Sequence, residues 1–366
     1  VGLTGAKGLI GLDIGSSSIK GALFSFNGPI PKLERALYLP TPVESVIDGG
    51  VVLPDVIAAA MNNQWAKAFP IRRVNVAISA KHSVLKQFWL EPVEGTPIDE
   101  QVKWEMEKYL PLPMEEMQIS YQPLSETDTN MEVLAGAAPI HILDGLLRVC
   151  RLAKLTPLAM EVPYLSVLRL FMAWARRFPQ QAAHFLIDVG ASQTQVVFIA
   201  DGVLSFVRSV QIGGNSFTEA IAANQKLTFE QADILKLTKA TLIEEETTEG
   251  QTKAIYAAIL PVMHQLAQEM QRSLDFFQSR SNTSLAPKML VFGGGSLLRG
   301  FPEAISKAMG IEAAVWRPLA DLPHNDSAAL PELFPLLNLA AGLALKENEK
   351  IVLGDLVEKM GISLLS

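Results

Sequence analysis

Residues 8–26 read Gly8-Leu-Ile-Gly-Leu-Asp13-Ile-Gly15-Ser16-Ser17-Ser18-Ile-Lys20-Gly-Ala-Leu-Phe-Ser-Phe26, a short polar bend between two apolar runs. Leu9, Ile10 and Leu12 lead into Asp13, and Ile19, Ala22, Leu23 and Phe24 follow the serines. The pattern predicts a tight β-hairpin with Asp13 at the end of its first strand. Gly15 lets a ligand come close to the backbone, and the successive N–H groups of Ser16, Ser17 and Ser18, with their hydroxyls, suit phosphate oxygens. Asp13 would then face a metal, because a carboxylate beside phosphates is tolerable only where a cation offsets the repulsion. Mg²⁺, which keeps several waters and takes one or two carboxylates, fits that place. The same residues also make an ordinary polar turn, since Asp, Gly and Ser favour turns.

A second copy lies about half a chain later. His184-Phe-Leu-Ile-Asp188-Val-Gly190-Ala191-Ser192-Gln-Thr194-Gln-Val-Val-Phe-Ile199 repeats the order of apolar strand, Asp-x-Gly, small polar residues and apolar strand. Two such hairpins facing each other clamp a polyphosphate from both sides, with Mg²⁺ held near Asp13 and Asp188 through water. A third turn, Gly293-Gly294-Gly295-Ser296, follows the apolar run Leu290-Val-Phe292 and precedes a helical pattern. Without side chains it lets backbone pass against a base or sugar, or it is a plain strand-to-helix connection.

The chain has 366 residues, 49% of them hydrophobic, which is too long for one compact core and agrees with an internal duplication into two lobes. A net charge of −7 without a Lys/Arg block excludes a nucleic-acid surface, which needs basic patches to release counterions. The single cysteine, Cys150, excludes an internal disulfide, suits a reducing compartment and reads as a small buried residue. His82, His141, His184, His264 and His324 are too scattered for a zinc site. The opening Val1-Gly-Leu-Thr-Gly-Ala-Lys7 lacks the apolar core of a signal peptide, and no run of about 18 apolar residues spans a bilayer. A soluble protein is expected.

Taken in order, the pattern predicts a third strand over 33–39, a helix from Pro54 that ends before Pro70, and a strand over 74–78 continuing into 79–81. From 83 the composition shifts to a strand over 84–90, a helix over 98–110, a strand over 131–139 and a helix to 155, read together as an inserted α+β subdomain over 83–163. Val102, Met106 and Tyr109 fall near one face of its first helix. Glu161 precedes a helix running to Ala175 and reads as a helix-start carboxylate. Beyond the second hairpin come a strand over 203–210, Gly213-Gly214 before a helix from Ser216, helices over 228–280 with Pro261 kinking or restarting the longest, a proline-rich loop over 316–331 and a small-residue helix over 333–345. In the tail, Val352, Leu356 and Met360 allow a short amphipathic helix, or the tail is disordered.

The two Asp-x-Gly hairpins, the Gly-Gly-Gly-Ser turn and the closing Ala340-Ala-Gly342-Leu-Ala344 resemble the nucleotide-binding signature of the actin, Hsp70 and sugar-kinase fold. Within it the chain resembles the PilM family, the FtsA-like cytoplasmic proteins of type IV pilus assembly. That resemblance runs over residues 8–347 through Gly11-Leu-Asp-Ile-Gly-Ser-Ser-Ser-Ile-Lys20, Glu105-Met-Glu-Lys-Tyr-Leu-Pro-Leu-Pro113, Arg272-Ser-Leu-Asp-Phe-Phe277 and Ala340-Ala-Gly-Leu-Ala-Leu-Lys346.

The resemblance implies an α/β, actin-like ATPase fold (ribonuclease H-like), with two lobes around a nucleotide cleft and an inserted FtsA-like α+β subdomain. Its expected parts are a first lobe core over 8–82 and 164–180, the insertion over 83–163, a second lobe core over 181–224 and 285–347, a helical subdomain over 225–284 and the tail 348–366. It implies ATP and Mg²⁺ as ligands, with Lys20 joining the first turn, Gly190, Ala191, Ser192 and Thr194 forming the second, and Gly213, Gly214, Lys236, Glu269 and Arg272 approaching the nucleotide beside Gly293 to Ser296. Arg272 would stack on the base and Glu269 accept from a ribose hydroxyl, or the two form a surface salt bridge. Glu161 would stand near the attacking water.

For function the resemblance implies a scaffold at the inner face of the inner membrane that takes the cytoplasmic N-terminal peptide of PilN in a groove on the insertion side. Contacts with the PilO/PilN complex and pilus motor ATPases are also implied. The other classes consistent with the sequence are a turnover ATPase or small-molecule kinase, the related actin-like component of a type II secretion system, and a filament anchored through the tail.

Overall fold

The structure is a computed structural model that describes residues 8–26, 30–127, 129–176, 184–200, 203–247, 250–279, 288–325 and 331–348. The chain divides into two units, Val1–Arg177 with Leu319–Pro331 and Leu339–Ser366, and Phe178–Pro318 with Glu332–Asn338. The tail residues Val352, Leu356 and Met360, whose sequence allows either reading, lie outside the described residues.

The first unit opens with β1 (Ile10–Ile14), β2 (Ser18–Ser25) and β3 (Lys32–Pro40), then β4 (Val46–Ile47), β5 (Gly50–Val51), α1 (Pro54–Ala68) and β6 (Arg73–Ala77). It continues through β7 (Val84–Leu90), α2 (Ile98–Glu107), β8 (Met117–Glu126), β9 (Met131–Pro139), α3 (Ile140–Leu152), β10 (Thr156–Glu161) and α4 (Pro163–Ala175). The main sheet has the order β10-β6-β1-β2-β3. β1 pairs antiparallel with β2 and parallel with β6, so it is central, and its residues 10–13 are buried in succession, which covers both its faces. Its run of Ile10, Gly11 and Leu12 has no room for polar alternation. α1 starts on Pro54, whose missing N–H costs nothing in a first turn, and buries Ile57, Ala58, Met61 and Trp65 with Leu146 and Val149 of α3. Each of the fully buried Ile, Met, Leu and Val side chains contributes about 1.5–3 kcal/mol.

The insertion is smaller than 83–163. β7, β9 and β8 form a separate three-stranded sheet that packs on α2 through Leu90, Val102, Met106, Met117, Val133, Ala135 and Ala137. α3 and β10 instead return to the main sheet, where Val149, Cys150 and Leu155 join its core and β10 pairs with β6. α2 ends at Glu107, three residues earlier than its apolar spacing suggests, and Tyr109 is exposed with Lys86 Nζ 4.7 Å from its ring centroid. Residues 79–81 do not extend β6 but enter a short 3₁₀ turn at Ala80–His82.

The second unit holds β11 (His184–Val189), β12 (Thr194–Ala200), β13 (Val203–Val210), α5 (Gly214–Gln225), α6 (Phe229–Lys239), α7 (Gly250–Gln278), β14 (Lys288–Phe292), α8 (Phe301–Met309) and β15 (Ala313–Val315). Its sheet order, β13-β12-β11-β14-β15, repeats the plan of the first unit: three antiparallel strands in a meander, then two parallel strands on the far side of the first. α7 is one helix with Pro261 inside it, so the proline neither ends nor restarts it. A face of Ile255, Ile259, Met263, Leu266, Met270, Leu274 and Phe277 at 3.6-residue spacing buries α7 against the sheet and outweighs the lost hydrogen bond.

Two short helices follow, α9 (Pro318–Asp321), inside what the prolines suggest is loop, and α10 (Asn338–Ala344). Small residues in α10 have a direct cause in the first unit. A Cβ on Gly11 of β1 would lie 1.8 Å from the Ala340 carbonyl oxygen, and one on Gly342 would lie 1.9 Å from that of Ser166 in α4. Asn75 Nδ2 of β6 donates to the Leu343 carbonyl at 3.3 Å. The strand carrying Asp13 therefore rests backbone to backbone on α10.

Candidate functional site

The first turn joins β1 to β2 across Gly15, Ser16 and Ser17. Gly15 N–H donates to the Ser18 carbonyl at 2.9 Å, and the register sets Asp13 opposite Lys20. Lys20 Nζ lies 2.7 Å from Asp13 Oδ2, each side chain 12% exposed, so the cation beside Asp13 in this fold is a lysine. Thr41, just past β3, holds the turn from behind: its Oγ1 donates to the Gly15 carbonyl at 2.7 Å and its N–H to that of Ser17 at 3.0 Å. Ser17 is exposed, Ser16 half-buried and Ser18 buried.

The second turn is built the same way within its own unit. Gly190 N–H donates to the Gln193 carbonyl at 2.9 Å, and Asp188 sits at the end of β11 opposite Gln195. Here the N-terminus of α5 braces the turn, with Gly214 N–H donating to the Gly190 carbonyl at 2.8 Å and Asn215 N–H to that of Ala191 at 2.7 Å. Gly213 has no space for a side chain, since a Cβ there would meet the Ala191 carbonyl oxygen at 2.6 Å. Ser216 caps the helix by accepting from Gly213 N–H at 3.3 Å. Ser192 is exposed, but the Thr194 hydroxyl is buried and donates to the Ile212 carbonyl at 2.7 Å, so it faces the fold and not a phosphate.

The glycine turn closes on the same place. Gly293 has φ +82°, and a Cβ on it would lie 2.2 Å from Asp188 Oδ1; one on Gly295 would lie 2.4 Å from Val189 Cγ1. Glycine at both positions lets the turn nest against β11. Gly294 is exposed, and a Cβ on Gly214 would sit 3.9 Å from the Cα atoms of both Ala191 and Gly295. The second unit thus brings Asp188, Gly190, Ala191, Gly213, Gly214, Gly293 and Gly295 together. Ser296 is a correction: its buried hydroxyl donates to the Gly293 carbonyl at 2.8 Å and shapes the turn from inside. Lys236 reaches the edge of this group, donating to the Gly214 carbonyl at 3.2 Å and Thr218 Oγ1 at 2.6 Å while paired with Asp233 at 2.6 Å.

Glu269 and Arg272 belong to a different cluster. Glu269 pairs with Arg272 on α7 and accepts from Arg208 Nη2 of β13 at 2.7 Å, and Arg208 Nη1 reaches Ser273 Oγ at 3.2 Å. The structure forms the ion pair of these two residues, with the Arg272 side chain largely exposed. The cluster's third member, Arg208, has no signal in sequence spacing.

Glu161 is the largest correction. At the end of β10 its carboxylate accepts from Ser166 Oγ at 2.6 Å, Arg169 Nη1 at 2.8 Å and Nη2 at 3.0 Å, and Lys346 Nζ at 2.7 Å. Arg169 Nη1 also donates to the Gly342 carbonyl at 3.0 Å. Burial pushes the carboxyl up, but the charges of Arg169 and Lys346 outweigh burial and hold it at about 2. A carboxylate so engaged is an ion-pair anchor for α4 and the segment after α10, not a base for water.

The donor sets of the turns suit phosphate and a hydrated cation. Exposed serine hydroxyls and turn amides match phosphate oxygens, as does Lys20, while Lys236 already commits its donors to Asp233, Gly214 and Thr218. In each unit by itself one carboxylate, Asp13 or Asp188, suits a hydrated Mg²⁺ that takes few protein ligands. Among the described residues no group of three or more His, Cys, Asp or Glu is placed to hold a metal by itself, and no helix is long and apolar enough to cross a membrane.

The family described as "Type IV pilus assembly protein PilM" matches residues 11–348. Among solved structures, the chain is similar to the "PilM-PilN type IV pilus biogenesis complex", at 28% identity over 93% of this chain and 98% of that one, with a TM-score of 0.79. It shares its fold with the ethanolamine utilization protein EutJ of Carboxydothermus hydrogenoformans, at 16% identity over 92% and 88% of the two chains and a TM-score of 0.54. It also shares it with MreB5 of Spiroplasma citri bound to AMPPNP, at 12% identity over 97% and 99% and a TM-score of 0.53.

Proposed function

This chain belongs to the PilM family of type IV pilus assembly proteins, and from that premise we propose that it is an ATP-binding, actin-like scaffold that takes the cytoplasmic N-terminal peptide of PilN. The observation that carries the nucleotide half is the repetition of one hairpin design at equivalent places in two sheets of equivalent order. Asp13 and Asp188 are the residues to which a hydrated Mg²⁺ is assigned, and the two turns with Lys20 are assigned to the phosphates. The bound metal supplies charge neutralisation between carboxylates and phosphates. The protein's own part is to orient amides and hydroxyls before the ligand arrives, which lowers the cost of binding.

The peptide half rests on the 28% identical structure of the PilM-PilN complex, which matches this chain almost end to end. We propose in addition that such a partner would bring the scaffold to the cytoplasmic face of the inner membrane, in reach of PilO and the pilus motor ATPases. The kinase alternative loses its base, because Glu161 is already bound by Arg169, Lys346 and Ser166.

The test is a titration of a fluorescent synthetic peptide, the N-terminal cytoplasmic segment of PilN from the same organism, into the full chain with and without ATP and Mg²⁺. Saturable one-to-one binding that tightens with nucleotide is the expected result. No saturable binding under either condition would remove the peptide half of the proposal.

A further inference from the structure

The two turns share a detail that their sequences do not. In each, the first glycine donates its N–H across the turn at 2.9 Å, Gly15 to Ser18 and Gly190 to Gln193. In each, that same glycine's carbonyl is held by a donor from outside the hairpin. For Gly190 the donor is the backbone of Gly214; for Gly15 it is the side chain of Thr41, at 2.7 Å and 26 residues away. Thr41 takes a second carbonyl as well, that of Ser17, with its own N–H at 3.0 Å.

Peptide geometry gives these contacts a consequence. Among the described residues no peptide is cis, and in a trans peptide the N–H points opposite to the preceding C=O. Drawing the Gly15 carbonyl toward Thr41 turns the Ser16 N–H away from it, and drawing the Ser17 carbonyl does the same for the Ser18 N–H. The amides that a phosphate would meet are therefore aimed by a residue that need not touch the phosphate. We infer that Thr41 is the positioning residue of the first turn, its hydroxyl serving Gly15 as the α5 N-terminus serves Gly190, and so a determinant of nucleotide affinity. The inference rests on the nucleotide reading of the first hairpin.

Thr41→Val keeps the shape and the backbone N–H and deletes only the hydroxyl; Thr41→Ser keeps the hydroxyl. Calorimetric titration of ATP with Mg²⁺ is run on the full chain and both variants, alongside Asp13→Ala, with the melting temperature of each measured without nucleotide. Loss of one preorganising hydrogen bond is expected to weaken ATP binding about fivefold to tenfold in Thr41→Val. Thr41→Ser is expected to stay within about twofold of the parent, and melting of Thr41→Val to stay close to it.

Parental affinity in Thr41→Val while Asp13→Ala loses binding overturns the role of Thr41 and leaves the nucleotide reading standing. A melting loss in Thr41→Val that Thr41→Ser repairs without repairing affinity also overturns it. Absence of binding by the parent chain fails the nucleotide reading and the inference with it.

Discussion

Glu161 joins three segments by charge, and its consequences are measurable. It is 4% exposed and paired with Arg169, itself 3% exposed. Glu161→Gln leaves a buried guanidinium with half its partner, which costs about 3–5 kcal/mol; equilibrium urea denaturation reads the loss. The pH dependence has a definite sign. The folded carboxyl stands at about 2 against an ordinary 4.5, so its stabilisation is complete above 4.5 and drains away as the pH falls toward 2. Parent and Glu161→Gln melting curves are expected to lie furthest apart near neutrality and to converge through that acid window. A constant gap across it would mean that the pair contributes nothing through ionisation. The same residue shows a limit of sequence reading: a carboxylate before a helix looks alike whether it faces water or an arginine eight positions on. Thr194 and Ser296 repeat the lesson, because a hydroxyl donates to whichever carbonyl the fold supplies, and Ile212 and Gly293 are known only from packing.

β7 and β9 are legible to the residue, because each is rich in strand-forming or small apolar residues between sharp edges and packs on α2. β8 is not. Its Gln118, Ser120 and Gln122 and the interior Pro123 read as loop, and it survives as a strand because it lies at the sheet edge, where a missing N–H is tolerated. β10 hides behind Pro157 in the same way, and without it the insertion seems to run on to residue 163. The hairpins and glycine turns are legible because backbone approach leaves glycine no substitute, whereas Thr41 and Arg208 are far from the residues they hold. The contact of β1 with α10 gives a test of that backbone argument. Gly11→Ala would force a methyl to 1.8 Å from the Ala340 carbonyl. It is expected to destabilise the protein by at least about 2 kcal/mol in urea denaturation, more than an alanine at Gly136 of β9, whose Cβ would meet only the Val84 carbonyl oxygen, at 3.8 Å. Equal effects would mean that α10 does not rest on β1 as described.

The chain repeats one α/β plan twice, and the family to which it belongs assembles type IV pili. In the proposed function both copies of the acidic hairpin serve the same ligand. Isothermal titration of ATP with Mg²⁺ into the parent chain, Asp13→Ala and Asp188→Ala tests this most directly. One site per chain is expected, with either substitution weakening it by about tenfold to a hundredfold, the worth of hydrogen bonds to a charged group. Parental binding in Asp188→Ala while Asp13→Ala loses it, or two independent sites of which each substitution removes one, would contradict a single nucleotide held by both turns.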